Sequence, residues 1–104
     1  MERDEAYLLD ILIAARKAVR FVEGMTWAQF AQSELHQSAL IRPLEIIGEA
    51  ARRISVETQQ AHPEIPWQQM IGMRKRLIHE YSRINLEAVW ETVQNDIPRL
   101  LKPA

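Results

Sequence analysis

The chain has no cysteine among its 104 residues, which excludes disulfides and thiolate metal sites and fits a reducing compartment. It also lacks net charge: 13 Lys and Arg against 14 Asp and Glu leave a formal charge of -1. No global field draws such a protein to nucleic acid or to a membrane surface, so any RNA binding must come from a local basic patch. No uninterrupted apolar run reaches the length of a signal-peptide core or a membrane span, and Met1–Glu5 is charged, so the expected location is the cytoplasm, with no membrane partner. His36 and His62 have no ligand spacing to each other; no metal and no cofactor is expected. There is also no strand pattern, linker, internal repeat or low-complexity tract.

What is present is helical periodicity. Hydrophobic residues make up 47% and charged residues 26%, ordinary for a globular protein. The length predicts one domain spanning 1–104, hiding roughly 65% of its unfolded surface. Chains of this size often gain stability by association, so a homodimer is expected before any motif is read. Residues 4–23 read as an amphipathic helix with Leu8, Ile11, Leu12, Ala15, Val19 and Val22 on one stripe, ended by Gly24. Thr26 and Gln29 form a capping box for a short helix carrying Trp27 and Phe30. Ser33 caps a helix to about Ile54, in which Pro43 should kink or restart the backbone. Residues 55–66 are the main break, because His62-Pro63-Glu64-Ile65-Pro66 cannot continue a helix. A further helix runs from Trp67 to Tyr81 or Ser82, and Asn85 caps a last one that Pro98 kinks. The expected architecture is an all-α, up-and-down bundle of about four to five helices.

Chemistry concentrates in Gly72-Met73-Arg74-Lys75-Arg76-Leu77-Ile78-His79-Glu80-Tyr81. Trp67, Met70, Ile71, Leu77, Ile78 and Tyr81 form an apolar stripe, and Arg74 falls on it. A guanidinium on the core side of a helix is costly unless it is paired or borders a wet cleft. Arg74 and His79 are separated by about 140° around the axis, so they do not stack but can border one groove. Arginine grips two phosphate oxygens at once, and histidine exchanges a proton near neutral pH. Together they suit phosphodiester cleavage in RNA without a metal, with His79 as acid or base and Arg74 stabilising transition-state charge. Spacing alone favours structural roles for a lone Arg and a lone His; the place of Arg74 on the stripe shifts the reading toward function. Lys75, Arg76 and Arg83 are candidate contacts to the RNA backbone. Trp27, Trp67 and Trp90 are expected in the core or an interface. The i, i+4 acids Glu45 and Glu49 are expected to pair with Arg52, Arg53 or a partner's cations.

The segment Arg74-x-x-x-x-His79-x-Tyr81 resembles the motif of HepT-like toxins in the HEPN superfamily. Tyr7–Ile11, Ile41–Ala51, Pro63–Trp67 and Val89–Pro98 are similar to that family in the same order, so the resemblance covers nearly the whole chain. It implies a helical homodimer whose motif helices meet across the two-fold axis, each RNase cleft taking Arg and His from both protomers. It implies a toxin–antitoxin module whose partner, an MntA-like minimal nucleotidyltransferase, uses ATP to attach AMP to the tyrosine corresponding to Tyr81. On a continuing helix Tyr81 lies at i+7 from Arg74, on nearly the same side, where added AMP would compete with RNA phosphate.

Two positions depart from the family pattern. Lys75 stands where a polar Asn or Asp is common and cannot accept a hydrogen bond from His79 or Arg74. Arg42-Pro43-Leu44-Glu45 stands where Arg-Asn-Leu-Glu is usual, so Pro43 is given no role beyond bending its helix. Lys75 is the feature that favours a rival reading, a non-catalytic dimeric module that binds the nucleotidyltransferase and is modified by it. A bare structural bundle would leave Arg74 unexplained.

Overall fold

The computed structural model describes residues 2–80 and 83–101. Among them the regular elements are all helical: α1 (Glu2–Phe21), α2 (Trp27–Ala31), α3 (Glu34–Arg53), α4 (Val56–Ala61), α5 (Trp67–His79), α6 (Leu86–Glu91) and α7 (Ile97–Leu100), with a π-helical turn Thr92–Asp96 between the last two. The all-α bundle is as expected. The segments outnumber the expected four to five because α4 forms inside the predicted break and because the last helix is divided by the π turn.

Each boundary has a local cause. Gly24 follows α1 at φ 77, a left-handed conformation that a residue with a Cβ resists. The Thr26 hydroxyl accepts from Gln29 N while the Gln29 side chain accepts from Thr26 N, closing the capping box. Ser33, Ser55 and Asn85 cap α3, α4 and α6 by accepting from the backbone N–H three residues on. The Ser55 cap is what nucleates α4 before Pro63 can end it. Pro98 has no N–H for the Gln94 carbonyl, and just before it the chain widens: Ile97 N donates to Thr92 O, a π-type bond.

Pro43 neither restarts nor ends α3, which runs uninterrupted from Glu34 to Arg53. Its ring is buried where α3 meets α1, so packing offsets the missing hydrogen bond. α3 is the central element, packed on α1 along one side and on α5 along the other. The face of α1 turned to it is Ile11, Ala14, Ala15, Ala18 and Val22, all buried. The alanines let the two helices approach closely, whereas Leu12 and Val19, expected on that stripe, are only half-buried. Leu40, Leu44, Ile47 and Ala51 of α3, Met70, Met73 and Leu77 of α5, and Val89, Val93 and Ile97 complete one core.

Trp67 is buried, and its indole N–H donates to Gln59 O (3.2 Å) and His62 O (3.0 Å), tying α5 to the turn before it. Trp27, Phe30 and Trp90 form an aromatic cluster with centroids 5.1–6.3 Å apart. Asp4 is a buried acid that sequence patterning did not single out. Ser55 Oγ and Thr58 Oγ1 both donate to its Oδ2 at 2.6 Å, and Ser55 N donates to Oδ1 at 3.1 Å. These bonds hold the carboxyl below its ordinary value and join the start of α1 to the cap of α4.

Candidate active site

The site is built on α5 where it crosses α3. Gly48 makes the crossing close: a Cβ there would overlap Arg74 Cβ and sit 2.8 Å from the Met70 carbonyl oxygen. The root of the Arg74 side chain is therefore seated directly on the α3 backbone. Its guanidinium emerges at the edge of the crossing, with the side chain 29% exposed. The costly place of an arginine on an apolar stripe is resolved in both anticipated ways. It has a counter-ion, Glu49, with Nε to Oε1 at 3.4 Å. It also borders an open cleft of about 290 Å³ that Tyr7, Asp10, Arg42, Glu45, Glu49 and Arg53 help to line.

Glu49 meets more than one cation. Arg52 grips it with Nε to Oε1 at 3.0 Å and Nη2 to Oε2 at 3.1 Å, and Arg53 Nε donates to Oε2 at 2.8 Å. The hydrogen bonds from Arg52 and Arg53, with the nearby Arg74 charge adding to them, pull the Glu49 carboxyl down to about 2. The expected pairing of Glu49 with Arg52 and Arg53 is present, and Arg74 is an addition to it. Among the described residues Glu45 has no ion pair and lines the cleft instead.

His79 is the last residue of α5 and is exposed. Around the helix the order of positions is Arg74, Ile78, Ile71, Lys75, Gln68 and His79 over about 140°. Ile78 is 42% exposed, Lys75 and Gln68 are exposed, and Ile71 is half-buried. The two motif residues thus flank one bare, partly apolar face of α5 without meeting across it. Lys75 lies within that face. Arg76 lies on the other side of α5, in a groove with Glu91, Asn95 and Asp96. Arg83 is exposed beyond the helix end.

Tyr81 lies outside the described residues. α5 itself ends at His79, with Glu80 as its cap, two or three residues earlier than expected. The expected i+7 relation of Tyr81 to Arg74 falls with it outside the described residues. Among the described residues no group of three His, Asp or Glu side chains is placed to hold a metal ion. None of their helices is long and apolar enough to cross a membrane.

The chain is similar to known proteins along nearly its whole length. A relative named a probable ribonuclease HepT, from Thermococcus cleftensis, is 42% identical over 94 residues, covering 90% of this chain and 86% of that protein. A provisionally named RNase of Methanocaldococcus jannaschii is 37% identical over 98 residues, covering 94% and 90%. Another, from Caldanaerobacter subterraneus, is 36% identical over 102 residues, covering 98% and 91%. No solved structure matches the chain. The family model described as Ribonuclease HepT-like matches residues 11–103, and the chain belongs to that HEPN-superfamily family.

Proposed function

We propose that this protein is a metal-independent endoribonuclease whose cleft is completed by a second copy of the chain. The observation that carries the reading is the seat of Arg74. A guanidinium is fixed at its root by Gly48 yet left partly open at a charged cleft, a poor arrangement for stability alone and a good one for gripping phosphate. His79 takes the 2'-hydroxyl proton as the 2'-oxygen attacks phosphorus. The P–O5' bond then breaks, and the leaving 5'-oxygen receives a proton from water. Arg74 stabilises the charge that builds on the non-bridging oxygens. Lys75, on the same face, contacts the RNA backbone. Arg76 and Arg83 reach it only where the strand wraps the end of the helix.

Family membership supports placing the protein as the toxin of a two-gene module, with a minimal nucleotidyltransferase as antitoxin and Tyr81, two residues past α5, as the AMP acceptor. The bulk and negative charge of AMP beside this cationic site would oppose RNA binding.

Purified protein free of partner and AMP should cleave RNA in the presence of a chelator. His79→Ala should be slower by about 100-fold or more, the usual scale of a lost acid–base group. Equal cleavage by both proteins removes His79 from the mechanism. No cleavage by either supports the non-catalytic module, for which Lys75 is the feature in favour. Incubation with the partner and ATP should add AMP at Tyr81 by mass spectrometry, and unchanged mass or another modified residue refutes that assignment.

A further inference from the structure

Arg74 shares its counter-ion with two other guanidiniums, and the sharing is unequal. Arg52 and Arg53 hold Glu49 through three hydrogen bonds of 2.8–3.1 Å. Arg74 stands at 3.4 Å from Oε1 and makes no hydrogen bond to it. Among the described residues Glu49 is also the only acid within ion-pair distance of Arg74. A carboxylate with its lone pairs unoccupied would draw an adjacent arginine into a two-pronged pair. That fork is the same one a phosphate needs, so a free Glu49 would act as a built-in competitor for the substrate.

We propose that Arg52 and Arg53 are positioning residues for Arg74, acting through Glu49: by occupying its oxygens they let the carboxylate aim the Arg74 guanidinium without capturing it. The inference rests on the reading that Arg74 grips RNA phosphate. Arg52 and Arg53 are half exposed, and as i, i+3 and i, i+4 surface pairs they add little to stability. Their effect is on the charge left for the substrate. The four side chains together carry +2, from three guanidiniums and one carboxylate. With Arg52 and Arg53 neutral, that sum is zero. Gly48 makes the arrangement sharp, because the base of the Arg74 side chain cannot retreat from α3.

The test is a cycle of Arg52→Gln/Arg53→Gln, Glu49→Gln and the triple variant, read by RNA cleavage and by the Arg74 Nε–Hε resonance in arginine-labelled protein, assigned by its loss in Arg74→Lys. The double variant should lose about tenfold in kcat/KM, and the triple should recover to within about twofold of Glu49→Gln, since coupled neighbours are non-additive. In parallel the Arg74 resonance should move and exchange more slowly in the double variant, as a captured guanidinium does, and return in the triple. An undiminished loss in the Glu49→Gln background means that Arg52 and Arg53 touch RNA themselves and overturns the proposal. An unmoved resonance overturns it whatever the activity. A resonance that moves as expected in a protein that cleaves no RNA leaves the positioning device standing and removes only the ribonuclease reading.

Discussion

Gly48→Ala and Gly72→Ala form a matched pair that isolates the helix crossing beneath Arg74. Both glycines lie inside helices, α3 and α5, where alanine is favoured by about 1 kcal/mol on propensity alone. At Gly72 an added Cβ meets nothing within 4 Å, so the full gain should appear, raising Tm by about 5 °C for a domain of this size. At Gly48 the same atom overlaps Arg74 Cβ and lies 2.8 Å from the Met70 carbonyl. A backbone oxygen and a Cβ cannot turn aside as a flexible side-chain tip can, so α5 must move away from α3. Overpacking of this kind costs up to about 3 kcal/mol. Set against the propensity gain, the net loss is about 2 kcal/mol, and Tm should fall by roughly 10 °C. Calorimetry on both variants at one fixed protein concentration measures this, the concentration being held because association shifts Tm. Gly48→Ala should also lose more RNA cleavage than its lowered stability explains, because Arg74 rides on the displaced helix. A Gly48→Ala protein as stable as Gly72→Ala would refute the close crossing and with it the fixed seat of Arg74.

Two further outcomes test the scaffold. Asp4 is held below its ordinary 3.8 by Ser55 and Thr58, so its contribution is complete above that value and is lost as pH falls through the lower, folded-state value. Asp4→Asn should therefore be less stable at neutral pH yet show a shallower decline on acidification in urea titrations; parallel curves for the two proteins would mean that the carboxylate is not engaged. Phe30→Ala empties a fully buried site whose ring lies 5.1 Å from that of Trp90, and about 3–5 kcal/mol of stability should be lost in denaturant unfolding, with an unchanged midpoint ruling out that corner as core.

What the sequence made legible was whatever is decided within a few residues. The Thr26–Gln29 box, the Ser33 and Asn85 caps and the Gly24 terminus depend on spacing alone, as do the pairs of Glu49 with Arg52 and Arg53. Features that depend on which helix lies opposite were not legible. Asp4 bonds to residues 51 and 54 positions away, and no local pattern marks it. The Glu49–Arg74 contact requires knowing that Gly48 brings α3 onto α5. Pro43 shows the converse, a local rule overridden by tertiary burial. The Ser55-x-x-Thr58 signal for α4 was in the sequence but was outweighed by the proline-rich stretch after it, although a capped helix needs only the six residues before that stretch.

The bare face of α5 bears on why one copy of the chain is insufficient for the proposed chemistry. Five helical residues separate Arg74 from His79 by about 7.5 Å along the axis and about 140° around it. With helix dimensions including side chains, their tips lie about 13 Å apart. A phosphate held at hydrogen-bond range by Arg74 is then beyond the reach of the same protomer's His79, which must come within about 3 Å of the hydroxyl it deprotonates. Side-chain rotation narrows that gap, but the backbone separation is set by α5, which the buried Met70, Met73 and Leu77 hold in place. In the proposed dimer, a second α5 laid antiparallel across the first would bring its own His79 toward Arg74. The surface such a pairing would cover is the one carrying Ile71 and the 42% exposed Ile78. On the proposed reading, the spacing that lets Arg74 and His79 border one groove without stacking is one that a site shared by two copies of the chain would use.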